Sequence, residues 1–238
     1  MPRYYAVLQR ARNFARINQE QLHWTFAQDT PLLQEDRDLP HEQLDVKRRR
    51  WLELHDQETA HVVSQVPLAV GMPMRLTDTV DQQRQLFRGR RCRIVGWAPH
   101  PKEERVDVDG EWLLTKLPQV IYLHFENALW TVDPELTQGV YPLTPVSRTW
   151  LVNKKTKVKV RRTGFSLVPD FASTAHMIQG QSVCAAFVDL VTRDETEQPT
   201  DAAQVSGYVM LSRVRDPNKL WLLRPFPRDL FVLSLIHI

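Results

Sequence analysis

The chain has 238 residues, of which 42% are hydrophobic and 25% charged, a balance that excludes a disordered or fibrous protein. Its length suits one large domain or a domain with an insertion, and its net charge of +3 is too small to indicate a polyanionic partner by itself. Only eight residues are glycine, and none of them precedes a lysine or lies two residues from another glycine. The sequence therefore excludes a GxxxxGK[ST] phosphate-binding loop and a GxGxxG loop.

The two cysteines, Cys92 and Cys184, form no CxxC motif and no disulfide framework, which is typical of a reducing compartment. The histidines show no metal-ligand spacing. No apolar stretch approaches the roughly 20 residues that span a bilayer, and the N-terminus lacks the apolar run of a signal peptide. We therefore expect an intracellular protein without a membrane or metal site, nuclear or mitochondrial in a eukaryote and cytoplasmic otherwise.

In chain order, hydrophobic periodicity predicts alternating strands and helices for the N-terminal part. An apolar, aromatic run favours a buried strand at the start, and apolar residues at helical spacing follow it. The predicted elements are a strand at 4–8, a helix at 10–22, a loop at 28–41, a helix at 42–62, and strands at 68–76 and 91–97.

Residues 98–165 differ, because short apolar segments alternate there with Pro, Asp, Asn and Gly. This pattern predicts several short strands and a small β-barrel or SH3-like insertion. Beyond it, the apolar run 183–190 is typical of a strand covered on both faces. Together with a helix at 202–211 and a strand at 220–223, it predicts parallel pairing. A helical turn or two is predicted at 171–178.

A basic cluster at 154–162 contains Lys155, Lys157, Lys159 and Arg161 at every second position. A period of two predicts a strand with one basic face. Such a face suits a phosphate backbone, although lysines on an exposed strand edge also serve only to keep it soluble and unpaired. A second basic cluster lies at 88–93, and a third at 47–50.

Two segments resemble known motifs: 169–182, PDFASTAHMIQGQS, and 207–215, GYVMLSRVR, followed by the strand LWLL at 220–223. They are similar to motifs V and VI of superfamily-one DNA helicases of the 5′→3′ branch, which includes the RecD-like, Pif-one-type and Helitron helicases. LAVGMPMRL at 68–76 and RGRRCRIV at 88–95 resemble two further family segments in the same order.

The resemblance implies an α/β fold, namely a RecA-like parallel-sheet motor domain, 2A, with an inserted SH3-like β-barrel, 2B. The expected boundaries are 1–97 for the first part of 2A (the motif IV region, a helical segment and a strand pair), 98–165 for 2B, and 166–232 for the second part of 2A. Residues 233–238, LSLIHI, resemble a translated sequencing adapter, so we expect a non-native tail there.

The resemblance also implies roles for single residues. Arg213 is expected to be the arginine finger that stabilises charge on the transferred phosphoryl group, with Arg215 as its competitor if the register is shifted. Gln179 and Gly180 are expected beside the triphosphate. A surface arginine and a helix-ending glycine are the purely structural alternatives.

Thr174 and His176 match positions that reach single-stranded DNA, as a hydroxyl and an imidazole can, but a capping threonine and a packed histidine are equally ordinary. Met177 and Ile178 replace polar residues of the family, which weakens the expected phosphate contacts. Lys155, Lys157 and Lys159 complete the expected DNA-binding residues.

We therefore expect the C-terminal motor half of an ATP-dependent 5′→3′ DNA helicase. ATP and Mg²⁺ would be held mainly by a separate N-terminal motor domain, 1A, which supplies the P-loop, so this chain alone would be inactive. Its partners would be single-stranded DNA and domain 1A. The alternative is a non-catalytic, helicase-derived nucleic-acid-binding module. An unrelated hydrolase has little support, because neither GxSxG nor a Cys–His pattern is present.

Overall fold

The computed structural model describes residues 2–54, 58–153, 158–174, 178–190, 201–226 and 230. The chain divides into two compact units, Met1–Ala172 (unit 1) and Ser173–Ile238 (unit 2). Both contain helices and strands, so the fold is mixed α/β, with parallel strand pairs among mostly antiparallel ones. The expected division of the chain into 2A and 2B, at residues 97/98 and 165/166, stays a prediction.

Unit 1 is rich in β-structure, and its elements follow one another closely along the chain. Its helices are α1 (Pro2–Asn18), α2 (Gln34–Arg37) and α3 (His41–Leu52). Its strands are β1 (His23–Phe26), β2 (Gln28–Pro31), β3 (Gln65–Leu68), β4 (Pro73–Leu76), β5 (Arg91–Ala98), β6 (Arg105–Val108), β7 (Glu111–Leu114), β8 (Val120–His124), β9 (Val140–Leu143), β10 (Val146–Asn153), β11 (Val158–Gly164) and β12 (Leu167–Pro169).

These strands form three sheets, with the orders β3-β1-β7-β6, β10-β11-β2 and β12-β4-β5-β8-β9. The pair β1–β7 is parallel, and the other strand pairs of unit 1 are antiparallel. No sheet closes on itself among the strands described here. The short strands predicted for 98–165 are present as β6 to β11, whereas a closed SH3-like barrel is not confirmed.

The core of unit 1 joins α1 to two of these sheets. Its fully buried side chains include Trp24, Leu68, Met74, Ile94 and Phe165. A smaller cluster packs Trp51 of α3 against Trp150 of β10, with the two rings edge to face. Because long, well-buried apolar side chains line both clusters, burial of apolar area stabilises this unit.

The strand predicted at residues 4–8 is wrong, because these residues belong to α1. The helix buries Ala11 and Ala15 and packs Leu8 and Phe14 against the core, at spacings of three and four residues. That periodicity selects a helix over a strand despite the aromatic and β-branched residues near its start. Asn18 ends the helix, where its amide donates to the carbonyl of Phe14.

Three further predictions for the N-terminal part need correction. The predicted loop at 28–41 contains β2 and α2, and the predicted helix at 42–62 ends at Leu52. The predicted strand at 68–76 is divided by Gly71, whose φ of 77° is in the left-handed region. The strand predicted at 91–97 is confirmed as β5.

Unit 2 contains β13 (Ala186–Val188), α4 (Asp201–Leu211), a 3₁₀ turn (Pro217–Lys219) and β14 (Leu220–Leu222). The predicted parallel pairing is confirmed, since Ala186, Phe187 and Val188 align with Leu220, Trp221 and Leu222. The strand predicted at 183–190 is shorter than expected. It is also not covered on both faces by the residues described, because Phe187 is 60% exposed and stacks on the half-exposed Trp221.

Candidate functional site

The end of the predicted motif V segment lies beside the predicted motif VI segment in unit 2. The backbone N–H of Val183 donates to the carbonyl of Arg213 over 2.9 Å, and Val183 and Val214 form a parallel bridge. Each residue lies a short distance before one of the paired strands, β13 and β14. The parallel pairing therefore extends back from the two strands to Val183 and Val214, and it places the end of α4 beside the loop at 178–183.

Arg213 follows the end of α4 and folds back along it. Its Nε donates to the carbonyl of Val209 over 3.0 Å, and its Nη2 donates to Oγ of Ser212 over 2.7 Å. Its Nη1 lies 3.4 Å from the carbonyl oxygen of Gln181, at the long end of hydrogen-bond range. The side chain thus links α4 to the motif V loop.

No carboxylate pairs with Arg213 among the described residues. Its positive charge meets only neutral oxygens, at the carbonyl end of a helix where a cation is favoured. A guanidinium has five N–H donors, and the three hydrogen bonds leave two of them unused. The arrangement holds a half-buried cation whose charge is not neutralised.

Gln179 and Gly180 form an exposed turn in the adjoining loop. Gly180 has a φ of 77°, and a Cβ at this position would meet no heavy atom within 4 Å. Glycine is therefore favoured here by the left-handed backbone conformation, and not by a lack of space for a side chain. The N–H of Gln181 closes the turn on the carbonyl of Ile178 over 3.0 Å.

The other predicted site residues that the structure describes, Thr174 and Lys159, belong to different units. Thr174 is exposed at the start of unit 2, and Lys159 is exposed on β11 of unit 1. His176, Lys155 and Lys157 lie outside the described residues. Within unit 2 the structure brings Arg213 to the loop of Gln179 and Gly180.

Lys159 belongs to a polar face of the sheet β10-β11-β2. Registry places Lys159 opposite Leu151, and Arg161 between Thr149 and Thr30. The side chains on this face are Gln28, Thr30, Ser147, Thr149, Leu151, Lys159, Arg161 and Thr163. None of them is acidic, so the face combines two cations with several hydroxyls.

Arg162 was part of the predicted basic cluster, but it does not belong to this face. It is fully buried, because it lies two residues after the buried Val160 and therefore on the same inward face of β11. Its Nε and Nη2 donate to the carboxylate of Asp29 over 2.8 and 2.6 Å, and its Nη1 donates to Oγ of Ser64. Arg162 is a structural residue of unit 1.

Ser212 and the carbonyl of Gln181, which hold Arg213, were not predicted as site residues. The Ser-Arg dipeptide in the segment 207–215 is the only sequence signal for the first. No residue type could signal the second, because a main-chain carbonyl is common to all residues.

Cys92 does not offer a nucleophile for a hydrolase. Burial, with a smaller contribution from the negative charge of Asp170, raises the pKa of its thiol to about 12. The thiol therefore stays protonated at neutral pH, whereas the thiolate is the reactive form. No group of three or more His, Cys, Asp or Glu side chains suited to a metal ion occurs in the described part of the chain.

None of the described helices is long and apolar enough to cross a membrane.

Comparison with known proteins gives structural matches alone, because no family model and no curated protein matches the chain. The Pif1 helicase of Candida albicans is similar over 95% of this chain and 44% of its own length, with a TM-score of 0.51 and 17% identity. Bacteroides Pif1 bound to single-stranded DNA matches over 97% and 50%, with a TM-score of 0.45 and 14% identity.

At these identities the likeness concerns the fold. The chain shares a fold with part of the Candida albicans Pif1 helicase and spans less than half of that protein.

Proposed function

We propose that this chain is the C-terminal motor half, 2A with an inserted 2B, of an ATP-dependent 5′→3′ DNA helicase of the Pif-one, RecD or Helitron type. The observation that carries the proposal is Arg213, a cation without a carboxylate partner among the described residues, held beside the motif V loop. The shared fold with a Pif1 helicase chain supports it. The intact parent would act inside the cell, in the nucleus, mitochondrion or bacterial cytoplasm.

Arg213 is the arginine finger in this proposal. Phosphoryl transfer spreads negative charge over the equatorial oxygens of the transferred group, and a planar guanidinium stabilises that charge through paired N–H donors. The two unused donors of Arg213 are available for phosphate oxygens without breaking the contacts with Val209 and Ser212. The helix end therefore presents the cation already oriented, which reduces the entropy lost when phosphate binds.

ATP is the substrate, and Mg²⁺ would neutralise charge on its phosphates when bound. The described residues could form only part of an ATP site. Gln179, Gly180 and Arg213 would border the triphosphate, and no acidic cluster suited to Mg²⁺ occurs in the described part of the chain. A separate domain 1A would therefore supply the P-loop and the metal ligands. Thr174, His176 and the lysines at 155, 157 and 159 would contact single-stranded DNA.

The test is complementation in trans. The chain alone should show no ATPase activity, whereas mixing it with a purified 1A domain that carries the P-loop should produce DNA-stimulated hydrolysis. In that mixture, Arg213→Ala should lower the rate by about 10³. Arg213→Lys should recover little, because an ammonium lacks the planar pair of donors.

Arg215→Ala is the matched control, since Arg215 is an exposed arginine two residues away. Its ATPase rate should match that of the unmodified chain. Robust ATPase activity of the chain alone, or equal losses from Arg213→Ala and Arg215→Ala, would contradict the proposal.

A second candidate function is a non-catalytic nucleic-acid-binding module. The observation that favours it is the acid-free sheet face of Lys159 and Arg161 in unit 1, where hydroxyls and cations suit phosphate oxygens. Under this function, Lys159→Glu with Arg161→Glu abolishes salt-dependent binding of single-stranded DNA, and the mixture with 1A hydrolyses no ATP. Restored, Arg213-dependent hydrolysis in the mixture decides for the helicase.

A further inference from the structure

A second basic surface of unit 1 lies on the turn before β5 and on β5 itself. It consists of Arg88, Arg90, Arg91 and Arg93, and we call it the arginine face. Along β5 the exposed Arg91 and Arg93 alternate with the buried Cys92 and Ile94. The alternation places the two arginines on the outer face of the five-stranded sheet, about 6.7 Å apart along the strand.

Three of the four arginines converge on two carboxylate residues. Nη2 of Arg90 donates to the main-chain carbonyl of Glu126 over 3.3 Å, and Nε of Arg93 donates to the carboxylate of Glu126 over 3.4 Å. Nε of Arg91 lies 2.8 Å from Asp170, whose other carboxylate oxygen is held by the buried Arg75. The side chain of Arg88 has no hydrogen bond or ion pair in the described part of the chain.

The charges on this surface do not balance. Five guanidinium groups lie here when that of Arg75 is included, and only the carboxylates of Asp170 and Glu126 pair with any of them among the described residues, which leaves three positive charges in excess. The carboxylate of Glu126 is a weak partner, because its side chain is 69% exposed and its contact with Arg93 is long. The acids of the preceding loop are engaged elsewhere: Asp78 pairs with Arg148, and Asp81 pairs with Arg84.

An aromatic ring accompanies the charges. Phe87 is 49% exposed and directly precedes Arg88. Guanidinium groups bind phosphate oxygens in pairs, and an exposed ring stacks on any unpaired base. Cations with an adjacent aromatic ring are the combination with which proteins bind single strands irrespective of sequence.

We propose that the arginine face binds single-stranded nucleic acid, with its guanidinium groups on the phosphates and Phe87 against a base. This surface shares no arginine with the face of Lys159 and none with the loop at 178–183, although Asp170, the partner of Arg91, belongs to the predicted motif V segment. It does not depend on Arg213 acting in trans.

The experiment measures binding of a fluorescein-labelled oligothymidine by anisotropy across a salt series, with a duplex of the same length for comparison. Arg88→Glu with Arg90→Glu should weaken binding of the single strand at least 10-fold. The milder pair, Arg88→Ala with Arg90→Ala, should reduce the slope of log K against log salt by about 1.4. Phe87→Ala should weaken binding about fivefold or more and leave the slope unchanged.

The matched control is Arg49→Glu with Arg50→Glu on α3, an equal change of charge at two exposed arginines elsewhere in unit 1. Its binding should change less than threefold. Equal losses from the two glutamate pairs would overturn the proposal, because only net charge would then matter. Tighter binding of the duplex than of the single strand, or no loss from the arginine-face variants, would also overturn it.

Glu126→Gln keeps the test decisive if the glutamate variants fold poorly. It removes the exposed carboxylate that competes with phosphate for Arg93, so affinity for the single strand should rise about threefold to tenfold. Unchanged or weaker binding by a folded Glu126→Gln protein would contradict the assignment.

Discussion

Two arginines of the chain, Arg162 in unit 1 and Arg213 in unit 2, occupy opposite environments. Arg162 is fully buried, and it donates two hydrogen bonds to Asp29 and one each to Ser64 and to the carbonyl of Trp51. Arg213 is half-buried, and it meets only neutral oxygens among the described residues. The first charge is neutralised within the fold, whereas the second remains for an anion that the fold does not supply.

The contrast shows that the position of an arginine in a basic cluster does not determine its role. Both arginines lie in clusters that the sequence associates with phosphate, and neither cluster by itself separates structure from function. The partner decides: a carboxylate with a matching pair of oxygens makes a guanidinium part of the core, and its absence leaves the cation free to bind. The arginine face is intermediate, since its carboxylates are fewer than its arginines.

The largest expected effect comes from breaking the pair in unit 1. Arg162→Ala should lower the free energy of unfolding by about 3–5 kcal/mol, because the carboxylate of Asp29 would remain buried without a partner. Urea unfolding followed by tryptophan fluorescence measures this, since Trp51 and Trp150 lie beside the guanidinium.

Arg213→Ala is the comparison for that variant, and its cost in stability should stay below about 1 kcal/mol because no buried charge is left behind. Replacing both members of the unit 1 pair, as Arg162→Met with Asp29→Leu, should recover most of the loss. Similar destabilisation by Arg162→Ala and Arg213→Ala would contradict this contrast between the two arginines.

A moderate effect is expected at Glu111, which pairs with an arginine nearer the surface of unit 1. Glu111 accepts hydrogen bonds from Arg12 and from the indole Nε1–H of the buried Trp24, at 2.6 Å each. Glu111→Ala should cost about 2 kcal/mol, because the indole N–H loses its acceptor. Glu111→Gln should cost about 1 kcal/mol, since the amide oxygen still accepts from Trp24. The lost ion pair is worth little, because the side chain of Arg12 is about half exposed and water screens its charge.

The pH dependence of these variants has a definite sign. The hydrogen bond from Arg12, aided by that from Trp24, lowers the pKa of Glu111 below its ordinary value of 4.5, although burial opposes the shift. A depressed pKa in the folded state contributes stability above the unfolded value, and this contribution is lost as the pH falls through the folded pKa. The gap between the unmodified chain and Glu111→Gln should therefore be full at pH 7, shrink once the pH falls below the ordinary value of 4.5, and close when the pH has passed below the lowered pKa of the folded state. A gap that widens on acidification would contradict this account.

The sequence predicts the parallel pair of unit 2 because its signals are local. The run around Phe187, the helix before Arg213 and the strand of Trp221 each show their own periodicity, and short connections between them require parallel pairing. The juxtaposition of the loop of Gly180 with Arg213 follows from the same order of elements.

Unit 1 is less predictable, because its pairings are distant in sequence. Nothing in the local pattern around Asp29 reveals that its residues form a strand with β11 or that its carboxylate meets Arg162, 133 residues later. The strand expected near Leu8 shows the opposite failure, since local β-propensity is overridden by burial of Ala11 and Ala15 on one helix face. Tertiary contacts decide in both cases.

The smallest expected effect on stability comes from replacing a glycine in one turn of each unit. Gly180 and Gly110 have φ values of 77° and 81°, and a Cβ at either position would meet nothing within 4 Å. Gly180→Ala and Gly110→Ala should therefore each cost about 1 kcal/mol of stability, from the left-handed backbone alone. Gly96→Ala is the control, because its site is equally open and its φ is not positive, so its stability should not fall.

The two glycine variants should separate in activity. In the mixture with a 1A domain, Gly180→Ala should lower the ATPase rate beyond its small effect on stability, because the turn borders the residues that would meet the triphosphate. Gly110→Ala should leave the rate unchanged at the same loss of stability, since its turn lies in unit 1. Equal ATPase rates for the two variants would show that the turn at Gly180 serves the fold alone. Arg213 would then be the only residue of the proposed ATP site in unit 2 that this experiment leaves in place.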